Sequence, residues 1–177
     1  MNSSSSAARA LLATTLLLLA VGCVRVPEGI EPITDFEAER YLGTWYEIAR
    51  LDHPFERGLS RVSATYGTRD DGGLTVLNKG WDAEDGEWKT ATGKAYFVED
   101  ADTGFLKVSF FGPFYGGYVV FDLDDDYQHA LVSGPNRDFF WLLARTPQLS
   151  PELQGTLIAR AAAAGFATDE LILVEHD

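Results

Sequence analysis

The chain has 177 residues, 46% hydrophobic and 12% aromatic, with 17 Gly and a formal net charge of −13. That size suits one globular domain that buries roughly 70% of its unfolded surface. The acidity excludes nucleic acid as a partner, because phosphates need a basic patch, and it disfavours electrostatic attachment to an anionic membrane. With one Cys, no internal disulfide can form.

Residues 1–22 carry a single charge, Arg9, and Ala10 to Val21 is an apolar run of signal-peptide length. The run is too short for a transmembrane helix, which needs roughly 20 apolar residues. It ends in Leu19-Ala-Val-Gly-Cys23. This resembles the lipobox of bacterial lipoprotein precursors, in which the residue at Cys23 becomes the lipidated N-terminus. Ala20 departs from that pattern, where Leu is usual. Two or more acyl chains on one Cys give stable anchoring where one is marginal. In the lipoproteins it resembles, an Asp after the Cys favours inner-membrane retention, so Val24 points to the outer membrane. Residues 23–34 form the lipidated Cys and a tether; Pro27, Gly29 and Pro32 make it extended. Residues 35–177 form the folded domain.

Asp35 to Arg40 reads as one helical turn with Asp35 as N-cap. Eight short strands follow, at about 44–51, 61–68, 74–81, 88–98, 105–111, 115–123, 129–133 and 139–145. Turn signals separate them: Asp70-Asp-Gly-Gly73, 82–86, 99–104, Asp124-Asp-Asp126 and Gly134-Pro-Asn136. Such spacing predicts an antiparallel barrel or sandwich, and closing the sheet removes its edges. A barrel of eight strands is just wide enough for one small ligand. Ser150 is a good N-cap and Pro151 a good first helical residue. Leu153, Leu157, Ile158 and Ala161 make one apolar stripe, and Gly165 ends the helix. The stripe is expected against the outside of the barrel, facing Val62, Ala64 and Tyr66, with Ser63, Thr65 and Gly67 turned the other way. A last short strand spans about 171–174.

Gly43-Thr-Trp-Tyr46, Asp125-Asp-Tyr127 and Arg145 match, in order and spacing, the three signature blocks of the lipocalin family. Longer stretches resemble bacterial outer-membrane lipocalins: Gly43 to Arg50, Phe55-Glu-Arg-Gly58, Asn78-Lys-Gly80, Lys107 to Tyr118 and Leu143-Ala-Arg-Thr-Pro147. Apolipoprotein D is a further resemblance. What this implies is an all-β fold, an eight-stranded antiparallel up-and-down lipocalin barrel with one C-terminal α-helix packed outside. It implies a non-enzymatic protein without a cofactor that holds a fatty acid, lysophospholipid or similar amphiphile. Storage or transport in envelope maintenance, periplasm-facing attachment to the outer membrane through Cys23, and homodimer formation are implied with it.

In the lipocalins it resembles, Trp45 and Arg145 stack at the closed end as a structural pair. An inward Arg145 puts Leu143, Trp141 and Phe139 inward too, because strand side chains alternate. The resemblance places Thr65 and Trp141 at the ligand. Parity extends the lining set to Val76, Asn78, Val108, Phe110, Tyr118, Val120 and Phe139, and sets Glu47 near the floor. A mostly apolar cavity with a few polar anchors suits an elongated amphiphile.

Other motifs carry less. Gly112 to Gly117 is glycine-rich but lacks the Gly-Lys-Ser/Thr ending of a phosphate loop. Asp122, Asp124 and Asp126 alternate like a calcium loop, but Tyr127 and Ser133 stand where Gly and Glu are needed. His53, His129 and His176 have no metal-ligand spacing, so no metal site is expected, and His53 reads as a surface-loop residue. A lipocalin-fold enzyme of isomerase or de-epoxidase type and a chromophore or haem carrier remain the alternatives.

Overall fold

A computed structural model describes residues 24–176; residues 1–22 and Cys23, with the signal and lipidation readings, lie outside them. One helical turn, α1 (Ala38–Tyr41), precedes eight strands: β1 (Gly43–Arg50), β2 (Leu59–Thr68), β3 (Leu74–Asp82), β4 (Glu87–Phe97), β5 (Phe105–Ser109), β6 (Gly116–Leu123), β7 (His129–Ser133) and β8 (Phe140–Ala144). Helix α2 (Pro151–Ala163) and a two-residue strand β9 (Ile172–Leu173) complete the chain. From β1 to β8 each strand pairs antiparallel with the next, and β1 closes the sheet by pairing with both β8 and β2. The expected up-and-down barrel is therefore the fold.

Closure is incomplete along β1. Its first half, Gly43–Tyr46, pairs with Tyr66–Ser63 of β2. Near the top β2 bends away: the β2–β3 register shifts between Ser60 and Ser63, and Arg61 has φ +52°. The C-terminal strand fills the gap. Ala49 and Arg50 pair with Leu173 and Ile172, Val174 N donates to Ile48 O, and Arg61 N donates to Glu175 O.

Two apolar cores result. The outer one lies between α2 and the outward faces of β1 and β5–β8; Leu157, Ala161, Phe166, Ile48, Leu142 and Val119 belong to it. The α2 stripe thus covers this wall and not β2, contrary to the sequence expectation. Ala64 and Tyr66 are apolar because they point into the barrel, and Val62 is buried beside them. Ser150 Oγ accepts from Leu153 N at 3.2 Å, as an N-cap should. Gly165 (φ +87°) ends the helix, with Gly165 N donating to Ala162 O and Phe166 N to Ala161 O. Asp35 is not a cap: it sits at φ +57°, and Glu37 precedes α1 without a side-chain cap bond.

Residues 24–34 are not a free tether. Val24 and Val26 pack on the outer core and Ile30 is buried in it. Arg25 Nε donates to Pro135 O at 3.0 Å, and Arg137 Nη2 to Glu28 O at 2.7 Å. Ile33 N then donates to Val120 O and Gly104 N to Ile33 O, so the segment lies along the barrel wall.

Candidate functional site

The inner core fills the closed end of the barrel, where Phe36, Tyr41, Trp45, Tyr66 and Tyr127 meet. Trp45 is fully buried, and its Nε1–H donates to Tyr41 O at 2.8 Å. The guanidinium of Arg145 lies 4.0 Å over the Trp45 ring, a cation–π contact. The same guanidinium donates to the carbonyls of Arg40 (2.6 Å), Thr44 (3.1 Å) and Tyr127 (3.2 Å). It ties α1, the start of β1 and the β6–β7 turn across the floor. Gly43 has φ +93°, and a Cβ there would also stand 3.5 Å from Arg145 Nη1.

Three tyrosine hydroxyls sit just above the floor. Tyr66 donates to Tyr118 at 2.8 Å, and Tyr41 and Tyr118 are also 2.8 Å apart. Burial pushes all three phenols above their ordinary range, so they stay protonated. Three protons and two hydrogen bonds leave one O–H available. Tyr118 keeps some accessible surface, so the trio is not sealed.

A charged cluster lies higher on the β1–β8 wall. Arg50, 1% exposed, donates to Glu47 Oε1 at 2.7 Å and to the carbonyls of Glu56 and Leu59. Glu56 Oε2 accepts from Trp141 Nε1 at 3.1 Å. His53 Nε2 lies 3.0 Å from the same oxygen but off the line of a good hydrogen bond. Burial, then the neighbouring Glu56, pushes the Glu47 carboxyl well above its ordinary range despite Arg50. Glu56 is also penalised by burial, yet His53, Trp141 and Glu47 together hold it below its ordinary value. The two neighbouring carboxyls are thus shifted in opposite directions, Glu47 up and Glu56 down.

The strand pairings show which side chains share the lumen. Ala64 opposes Asn78 and Tyr66 opposes Val76; Val108 opposes Ala95; Tyr118 opposes Leu106; Val132 opposes Trp141. Val76, Asn78, Val108, Phe110, Tyr118, Val120 and Trp141 thus all belong to the inner core or face it. They fall into two groups. Val76 and Val120 are 2% and 0% exposed, packed within the core with no surface left for a ligand. Asn78, Val108, Phe110, Tyr118 and Trp141 retain surface. Asn78 Oδ1 is buried without a hydrogen-bond partner. Opposite Val76 and Asn78 on β4 stand Gly93 and Ala91, and the Phe110 ring lies over Gly93, 2.8 Å from where a Cβ would stand. Phe139 stacks on Trp141, ring centroids 6.3 Å apart, and on His53 at 5.9 Å, near the open end.

Thr65 does not face the lumen. Its neighbours Ala64 and Tyr66 do, and alternation turns Thr65 outward, where its Oγ1 is 3.0 Å from Thr44 Oγ1. His53 is 2% exposed and packs on Trp141, so it is no surface-loop residue. Arg50 escapes simple alternation because the β1–β8 register shifts between Glu47 and Ala49. That bulge puts Glu47 and Arg50 both inward, opposite Leu143 and Trp141, and Ala49 outward. The signal for Tyr66 was in the sequence: Val62, Ala64 and Tyr66 are the apolar set of β2. Asp124 is spent on its turn, accepting from the backbone N–H of Gln128 and His129 at 2.6 and 2.7 Å.

Comparison with known proteins agrees with this architecture. Residues 36–176 match the family described as a lipocalin-like domain. The chain is 53% identical, over 95% of its length and 99% of the relative's, to the outer membrane lipoprotein Blc of Vibrio cholerae. It is 52% identical to that of Escherichia coli K12, over 93% of this chain and 94% of the other. Mouse apolipoprotein D is 33% identical over 67% of this chain and 65% of its own. Among solved structures, insecticyanin of the tobacco hornworm shares the fold at a TM-score of 0.69 and 17% identity, covering 86% of this chain and 87% of its own. The Trp45–Arg145 floor, the closed barrel of eight strands and these matches lead to one conclusion: the chain belongs to the lipocalin family.

Proposed function

We propose that this protein is a non-enzymatic outer-membrane lipoprotein that holds a fatty acid, a lysophospholipid or a similar amphiphile in its barrel, for lipid storage or transport in envelope maintenance. The observation that carries this reading is that the inward-facing Asn78, Val108, Phe110, Tyr118 and Trp141, above the Trp45 floor, are only partly buried. The relatives named as outer membrane lipoproteins support the cellular location, with Cys23 as the acylated residue. Among the described residues no helix is long and apolar enough to cross a membrane.

An acyl chain enters along the Val108 and Phe110 wall. Each methylene taken from water contributes about 0.8 kcal/mol, so roughly ten of them reach the energy of a micromolar complex before ordering costs. Asn78 Oδ1 accepts from, and the tyrosine trio donates to, a neutral polar group of the ligand. A phosphate or carboxylate head group stays at the mouth. Burying it would cost several kcal/mol, and the buried Glu56 carboxylate would repel it.

Native mass spectrometry of the chain, purified from cells under mild conditions, tests this reading. A co-purified fatty acid or lysophospholipid mass is expected. An empty barrel that also ignores added lipids would refute it. One observation favours an enzyme instead: two buried carboxyls shifted in opposite directions, Glu47 and Glu56, with His53 3.0 Å from Glu56. Turnover of a lipid by the purified protein, lost in Glu56→Gln, would decide for that reading.

A further inference from the structure

The two ends of the barrel differ in chemistry, and the first described residues lie at one of them. Four connections surround the mouth: 51–58, 83–86, 110–115 and 134–139. The first described residues are tied there, since Arg25 donates to Pro135 O within the last of these. Cys23 precedes Val24 by one peptide unit, about 3.8 Å between Cα atoms. The closed end is a strand's length away, roughly 26 Å for the eight residues of β1. The first described residues thus stand at the mouth, and a lipid on the residue before Val24 would be attached near that end.

The connections on either side of 134–139 around the rim are 51–58 and 110–115. They carry Phe55, Phe111 and Phe114, which are 72%, 73% and 77% exposed. The 110–115 connection, Phe110-Phe-Gly-Pro-Phe-Tyr115, has no charge at all. The fourth connection stands across the rim from the anchor and is acidic, with Glu84 and Asp85 exposed. The closed end is acidic too, at Asp70, Asp100 and Asp124 to Asp126. An anionic bilayer repels those faces and accepts the aromatic arc.

We propose that the mouth rests on a phospholipid bilayer, with Phe55, Phe111 and Phe114 inserted at head-group depth and the 83–86 hairpin tilted away. The lumen then opens onto the membrane, and an amphiphile passes between the two without crossing water. This rests on the reading of Cys23 as the acylated residue. Isolated surface hydrophobes are common, but three highly exposed phenylalanines on the two connections that flank 134–139, at the same end of the barrel, concentrate apolar surface in the way that marks an interaction site.

The test uses the full acylated chain, its acylation confirmed by mass, reconstituted in vesicles of phosphatidylethanolamine and phosphatidylglycerol that contain a brominated phospholipid. Three single variants, Phe114→Cys, Glu84→Cys and Asp70→Cys, carry an environment-sensitive dye; acylation protects Cys23 from labelling. Several-fold stronger quenching at position 114 than at 84 or 70 is expected. Equal quenching at all three, or the strongest at 70, would overturn the proposal. So would dye–dye contact at 114 without lipid quenching, which would mean a second copy covers the rim. A chain without acyl mass at Cys23 overturns the proposal through its premise, a separate readout from orientation. The exposed triple variant Phe55→Ser/Phe111→Ser/Phe114→Ser should keep its fold and release bound fatty acid to vesicles several-fold more slowly. Unchanged release would also count against direct membrane contact.

Discussion

Arg145→Ala should cost this barrel about 3 kcal/mol. The side chain makes one cation–π contact, 4.0 Å over Trp45, and bonds to three backbone carbonyls. The stacking is worth roughly 0.5–2 kcal/mol. A charged donor to a carbonyl contributes about 1.5–3 kcal/mol when enclosed, but two of these bonds are exposed, where water replaces much of what is lost. About 1 kcal/mol for the stack and about 2 kcal/mol for the three bonds together is the resulting sum. For a chain of this size that lowers Tm by roughly 6–12 °C. Arg145→Lys keeps the charge but cannot reach three carbonyls at once, so it should lose about half as much. Urea unfolding followed by far-UV circular dichroism gives both values. A variant Arg145→Ala within about 0.5 kcal/mol of the parent would refute the floor argument. So would full stability with lipid binding abolished, because Arg145 would then act on the ligand.

Two further predictions follow from the lumen. Trp141→Ala removes an inward ring and the donor to Glu56, and should weaken fatty-acid affinity by roughly tenfold, about 1.4 kcal/mol, with near-UV circular dichroism still showing a folded barrel. Thr65→Val, on the outer face, should leave affinity unchanged; the opposite ranking in a fluorescent fatty-acid displacement assay would invert the assignment of the β2 faces. Glu47→Gln tests the buried pair through pH. Because the folded state holds the Glu47 proton more tightly than the unfolded chain, its contribution is fully present below the ordinary value of 4.5 and is lost as pH rises toward the raised folded value. The variant should gain stability relative to the parent as pH rises above 4.5. A pH-independent difference would mean that Glu47 is ionised against Arg50 throughout.

Much of this protein was legible in its sequence. Eight runs with turn chemistry between them and the Ser150-Pro151 start of α2 are local signals, and the folded chain uses each of them; the pairing of Trp45 with Arg145 was legible only through the family resemblance. Alternation also put Asn78, Val108, Phe110, Tyr118 and Trp141 on the inner face, because a period of two holds wherever a strand is regular. It failed where the ladder is irregular. The bulge after Glu47 brings Arg50 inward and gives the lumen a buried charge cluster. Whether an inward residue lines open space or packs in a core depends on what stands opposite; Val76 and Asn78 share a strand and a face, yet only Asn78 keeps surface. The loop 51–58 turned His53 and Glu56 inside, a long-range outcome of packing against β8 that no local pattern encodes. The outward turn of Thr65 follows from its own strand once the apolar set of β2 is assigned to the lumen and not to α2. Sequence periodicity determined which residues share a face, and the tertiary structure decided which face is the inside, how full it is and which loops close over it.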